Sequence, residues 1–369
     1  MKINNISDLK DFIDGCTLLG VGGGGNPEEG FRALKSVLEE KGSIEWIDVN
    51  QIDDNAIAIC PFLMGSTAPL STEKIKQRDD LELTTIKNPI NLMNAVQEWE
   101  NYTGKKVDVV VPIEVGGSNM PVPIAVAHKL NKITVDGDYA GRAIPEIFQT
   151  SLMLEDVPFC PGVSVDKYGN IAIIKEAISI RLAERMGKYL SQVAFGSTGM
   201  AGFPVNGKQL KRLLVRGSVS TAYKIGKMLK STRDKQTELK FEMEKIGGKL
   251  VFKGKVVLKE GKDWDGYYIG FHTIEGEDDF RDERLKIFFK NENHIAWKNE
   301  KYVVSSPDLI CCIEPNLVKP MRNNEINEGT YLEVYALPCH PVLRREEVLK
   351  WLCPRYFGFD FDYVPIQAK

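Results

Sequence analysis

The chain has little of what would assign a function at a glance. It holds four histidines in 369 residues, at 128, 272, 294 and 340, widely separated and unsuited to a short metal motif. Its seven cysteines (16, 60, 160, 311, 312, 339 and 353) are odd in number and contain no Cys-x-x-Cys. A disulfide framework and a zinc ribbon are excluded, and free, mostly buried thiols are expected. No apolar run approaches the ~20 residues that cross a bilayer, and the polar start MKINNISDLKDFIDG is not a secretory signal. A net charge of −3 gives no pull toward nucleic acid or acidic membranes. A cytoplasmic protein with neither partner is expected. There is no internal repeat and no low-complexity segment.

What is present is enough apolar sequence, 43%, to build real cores in two or three domains. Ser7 is predicted to cap a helix bearing Leu9, Phe12, Ile13 and Cys16 at i, i+3, i+4, i+7 spacing. The glycine run Gly22–Gly25 ends it, and Asn26-Pro27-Glu28-Glu29 reads as the start of a second helix. Short apolar runs then alternate with helical patterns through NAIAICPF, STEKIKQ, NPINLMNAVQEWENYTG, VDVVVPIEV, PVPIAVAHKLN and KITVDGD. This predicts a three-layer α/β domain over residues 1–170, built on a mostly parallel sheet. The remainder, 171–369, is predicted as a helical part (171–239) packing on the first domain, a smaller antiparallel β part (240–320), then a strand, short helix and tail (321–369). Within it, AFGSTGMAGFPVNG reads as a glycine-rich join between helices, and alternation should bury only one of Cys311 and Cys312.

In an open α/β sheet, ligands gather beyond the carboxyl ends of the strands. That singles out Met64-Gly65-Ser66-Thr67, Glu114 to Asn119, and Asp136-Gly137-Asp138. Consecutive glycines before a helix can turn backbone N–H groups toward an anion, so Gly23, Gly24, Gly25 and Asn26 are candidate substrate contacts. The bland alternative is a helix cap and a turn. No Gly-Lys-Ser/Thr follows and a helix, not a strand, precedes, which argues against a nucleotide and for a carboxylate or polarised carbonyl. Glu114, Asp136 and Asp138 are candidates for general acid–base work, with an ion-pair scaffold an equal alternative. If DYAGRAIPEI begins a helix, Asp138, Arg142 and Glu146 share one face, although Pro145 falls inside it. Asn119 could hold a substrate amide, and the alternative is an ordinary turn residue. His340, between two prolines, is either presented to a site or simply exposed, and His128 reads as a core histidine. Cys16, on an apolar stripe, is by spacing a packing residue.

Five ordered stretches, GCTLLGVGGGGNP, MGSTAP, PIEVGGSNMPVPIAVAHKLN, VDGDYAGRAIPEI and PRYFGFDFDYVP, together resemble the S-methyl thiohydantoin desulfurase-like family over nearly the whole chain. The resemblance implies a hydrolase of a five-membered cyclic amide or thioimide that releases methanethiol and leaves a hydantoin. It also implies a cysteine nucleophile, with Cys16 leading; Cys60 comes next from its place after an apolar run at the expected ligand edge, since the matching stretch begins only after it. Asp136, Asp138 or Glu114 would act on water or the leaving sulfur, and Gly23–Gly25 and Asn119 would bind the ring. Arg142 and His340 complete the expected substrate contacts. No cofactor is expected, with a divalent metal held by Asp136, Asp138, Glu114 and His340 as the alternative. A non-catalytic subunit beside a hydantoinase- or oxoprolinase-type partner is a third reading, and self-association is compatible with all three.

Overall fold

The structure is a computed structural model that describes residues 2–66, 68–83, 85–87 and 91–366. Thr67 of the MGSTAP turn and residues 88–90 at the start of the NPINLMNAVQEWENYTG pattern lie outside the described residues. The first helix spans Ile6–Leu19, and its cap is Asn5 rather than the expected Ser7, because the Asn5 side chain accepts the Asp8 N–H at 2.8 Å. Leu9, Phe12, Ile13 and Cys16 face the core as their spacing predicts. The second helix, Pro27–Lys41, starts as expected at Asn26, whose side chain accepts from Glu28 N–H at 3.0 Å. Helix Ser218–Lys235 packs on the first so closely that a Cβ at Gly15 would stand 1.8 Å from Ala222 O.

Six strands form the first sheet, in the order Ile133–Thr134, Val109–Val110, Ile57–Gly65, Ser197–Asn206, Gly162–Asp166, Ile171–Ile174. The first three are parallel, and the last three are antiparallel to their neighbours, so the sheet is mixed rather than mostly parallel. The reason is the stretch expected as a join. Ser197–Asn206 is a central strand whose glycines admit close neighbours: a Cβ at Gly202 would sit 2.3 Å from the Phe159 ring, and one at Gly199 would sit 2.9 Å from the Asn91 backbone. This sheet therefore runs past residue 170. Helices Asn91–Thr103 and Pro121–Lys129 cover one face over Trp99, Val110 and Val126, while Ile180–Val193 and Gly207–Leu213 lie over Phe62, Phe203 and Ala183 on the other. Three layers result, as expected.

The second sheet is wholly antiparallel and has eight strands, more than the first, where a smaller part was expected. Its long hairpin, Lys249–Trp264 with Tyr267–Gly276, leads into Arg284–Lys290, Glu292–Lys298 and Lys301–Ser305 on one side. Tyr331–Leu337, Leu309–Glu314 and Lys319–Pro320 follow on the other. Both Cys311 and Cys312 are buried, because this sheet is also covered on both sides there: Cys311 packs toward the first helix, and Cys312 lies in the inner cluster with Phe252 and Val334. His128, expected in the core, sits half-buried near a helix end with Nε2 3.0 Å from Glu45 O.

The segment after Asp138 is not the helix expected of DYAGRAIPEI. Asp138 Oδ2 accepts from Ala140 and Gly141 N–H at 3.1 and 2.8 Å, Gly141 turns at φ 71°, and Pro145 follows before any helical ladder can form. The first helical turn here is the short 3₁₀ segment Ser151–Glu155.

Candidate functional site

Two of the three strand-end groups meet at one cavity of about 300 Å³ between the two sheets. Ser66 follows strand Ile57–Gly65, and Glu114 with Ser118 and Asn119 follows Val109–Val110. Gly24, Gly25 and Asn26 form a neighbouring wall. The glycine loop and the Gly116–Asn119 turn are interleaved: Gly24 O accepts from Ser118 and Asn119 N–H at 3.1 and 3.2 Å. A Cβ on Gly24 would fall 2.5 Å from Gly116 Cα, and one on Gly25 would fall 1.9 Å from Ser118 Oγ. Here the glycines answer to close approach, and Gly24 and Gly25 also take positive φ of 73° and 83°. Val21, just before them, holds φ 43°, a costly conformation for a β-branched residue, while its carbonyl accepts the Asn293 N–H at 2.8 Å.

The carboxyl that this loop meets within the protein is Glu292, at the start of strand Glu292–Lys298. Its Oε1 accepts the Gly24 N–H at 3.3 Å, a Cβ on Gly23 would stand 2.0 Å from that oxygen, and Oε2 is buried with no hydrogen-bond partner. Glu114 lies on the same cavity. One of its oxygens accepts from Asn119 Nδ2 and the other from Ile144 N–H at 2.5 Å. Burial, then the neighbouring Glu292 charge, pushes the Glu114 carboxyl well above its usual range. Burial likewise raises Glu292 to about 7, against the opposing pull of the Arg142 guanidinium. The two carboxyls thus titrate as a pair that retains a proton near neutral pH.

Sequence reasoning missed Glu292 because it sits in FFKNENHIAW, a polar turn between strands with no spacing relation to Glu114. It also passed over Lys188, Arg322, Asn291 and Asn324 on the same wall, while Glu146 entered only as a partner in an expected helix. Lys188 leaves helix Ile180–Val193 to donate to Gly65 O and Gly266 O at 3.1 and 3.4 Å, with its ammonium 4.0 Å from the Tyr267 ring centre and 3.8 Å from Glu184. Burial lowers its pKa. Glu146 pairs with Lys290 at 3.2 Å.

The other expected residues go elsewhere. Cys16 is fully buried in the core, its Sγ 3.9 Å from Met120 Sδ, and burial pushes its thiol well up. Cys60 is equally buried, and none of the seven cysteines lines the cavity. Asp136 caps helix Ser218–Lys235 by accepting Ser220 N–H at 2.8 Å. Asp138 is buried at its own turn, and burial raises it to about 7. Arg142, wholly buried, donates to Ala143, Pro307, Asp308 and Asn293 carbonyls at 2.9–3.1 Å and so ties the first half of the chain to the second. His340 is exposed beside a separate cavity near Gly141 and Cys339. Asp136, Asp138, Glu114 and His340 do not converge. Among the described residues no three His, Cys, Asp or Glu side chains gather as a metal site requires.

A family profile described as S-Me-THD-like, N-terminal domain, matches residues 7–176, and its C-terminal counterpart matches 178–366. The chain belongs to the S-Me-THD-like family. Among solved structures it is similar to a protein from Chromobacterium violaceum determined by X-ray crystallography as a structural-genomics target. The identity is 21%, the TM-score is 0.77, and the whole of each chain is covered. That likeness shows a fold shared over the full length. No curated protein matches the chain.

Proposed function

We propose that this S-Me-THD-like protein hydrolyses a five-membered cyclic thioimidate, with Glu114 and Glu292 exchanging protons and no thiol attacking. The observation that carries this is the pair of buried, upward-shifted carboxyls facing one cavity whose wall holds no cysteine. In the reaction, the ionised carboxylate of the pair takes a proton from water as its oxygen bonds to the ring carbon. The C=N electrons move onto the ring nitrogen as water adds; the protonated partner then delivers its proton to sulfur as the C–S bond breaks and methanethiol leaves, and the second water proton passes from oxygen to the ring nitrogen, giving the ring carbonyl and N–H. The pair ends with the one proton it began with. A volume of about 300 Å³ suits one small ring, and Asn119 and Ser118 offer amide and hydroxyl groups to its edge. Lys188 and Arg322 line the same cavity, and the Lys188 charge pulls the Glu292 carboxyl downward.

Incubation with S-methyl thiohydantoins, hydantoins and 5-oxoproline analogues, read by methanethiol release and intact mass, tests this. Release that survives Cys16→Ser, leaves no protein adduct and disappears in Glu292→Gln is the expected result. An adduct on Cys16 during turnover would restore the thiol mechanism, and ligand binding without any consumption would favour the non-catalytic subunit.

A further inference from the structure

Helix Ile180–Val193 turns Ala183, Glu184, Gly187, Lys188 and Ser191 inward, so that the side carrying Lys188 serves the cavity. Its outward side is apolar where a monomer's would be polar. Leu182, Met186, Tyr189 and Val193 are all exposed, Tyr189 at 48% and Val193 at 70%. Their spacing of four, three and four residues is that of a coiled-coil seam, one narrow stripe rather than a scatter. The stripe continues off the helix to Ile178, 93% exposed. On its flank stands the hairpin tip holding exposed Trp264, since a Cβ on Gly266, two residues further on, would be 3.4 Å from the Gln192 side chain. Six large apolar side chains thus face outward around one helix.

We infer that a second copy of this chain seats the same helix on this stripe, antiparallel, in a two-fold dimer. The charges select that occupant and that direction. Arg181 and Arg185 sit in the N-terminal half, where the helix dipole disfavours cations, and the first turn has no acid. The last turn has no base to offset its carbonyls. Antiparallel pairing of identical helices corrects both at once, by laying each copy's arginines beside the other's carbonyl end. The seam is self-complementary in that direction, with Leu182 against the second copy's Val193 and Met186 against its Tyr189. Arg185 is already held at the stripe by its bond to Tyr189 Oη at 3.0 Å.

Sedimentation of the full chain over a concentration series tests this. The wild type should pass from monomer to dimer, and Met186→Glu should weaken dimerisation by about 100-fold or more with an unchanged circular-dichroism spectrum, since a charge would be buried twice. Should that variant fold poorly, Met186→Ala should still weaken the dimer measurably. Arg181→Glu decides the direction: it should weaken the dimer about tenfold with an unchanged circular-dichroism spectrum, beyond whatever the monomer loses with the Arg181 contact to the Trp351 ring. A chain that stays monomeric throughout overturns the proposal, as does a dimer indifferent to the Met186 variants or to Arg181→Glu.

Discussion

Two groups of charge, one around Arg142 and one at the cavity, are built differently. Around Arg142 every guanidinium nitrogen has a carbonyl, drawn from Ala143, Asn293, Pro307 and Asp308, and Asp136 spends its oxygens on Ser220. Around the cavity, Glu292 keeps an oxygen with no partner, and the Glu114 charge is raised further by the Glu292 charge. Burying charge is costly in both places; the Arg142 guanidinium is bonded at every nitrogen, whereas Glu292 keeps one oxygen unbonded despite the pull of Arg142 and the Gly24 N–H. A charged group that is buried, left short of partners and open to a cavity is arranged for a molecule that arrives later.

The largest expected effect separates the two groups by activity. Glu292→Gln should lower kcat by about three orders of magnitude, the scale of losing a general acid–base, with methanethiol release as the readout. If the variant keeps wild-type turnover, the cavity pair is not the catalytic one. Arg142→Met strands four buried carbonyls and should cost about 3 kcal/mol in denaturant unfolding, and because it also removes the pull on Glu292 it should move the pH profile of turnover upward. A loss under 1 kcal/mol would mean those carbonyls find water.

The pH dependence of stability sharpens the contrast. Glu292 is raised from 4.5 to about 7 in the fold, so the native state holds its proton where the unfolded chain has released it. Stability from this group is therefore complete below about 4.5 and is lost as pH rises through about 7. Glu292→Gln should melt higher than wild type at pH 8, by roughly 2–3 kcal/mol, and close to it at pH 4.5. An identical difference at both values would contradict the assignment. The smallest effects concern residues outside the cavity. Asp136→Asn, which weakens a helix cap, and Cys16→Ala, which removes a buried sulfur, should each cost about 1 kcal/mol with turnover unchanged.

Where local rules act, the sequence spoke clearly. Asn26-Pro27 starts its helix, Gly42 ends it at φ 76°, and the hairpins after residue 249 follow their alternation. Tertiary contacts overruled local signals elsewhere. Strand Ser197–Asn206 looks like a linker because its glycines are required by a ring and a backbone brought from distant segments. The site was legible on one side only. Glu114 and Asn119 stand out as strand-end residues in an α/β pattern, whereas Glu292 opens a strand of the antiparallel sheet and Arg322 and Asn324 lie in its connections, and their chemistry exists only once the two sheets face each other. Cys16 shows the converse, since its helical spacing already placed it in the core where the structure has it.

The interleaving of Gly24 with Gly116 bears on how such a pocket can be remodelled. Where the two loops cross, a floor of bare main chain offers no handle to amino-acid exchange, because either replacement would drive its Cβ to within 2.5 Å of the opposite loop. Variation in what the pocket accepts must come from its more exposed lining, at Ser66, Glu29 and Arg322. A library randomised there should yield altered ligand selection, while one aimed at the crossing should yield unfolded protein.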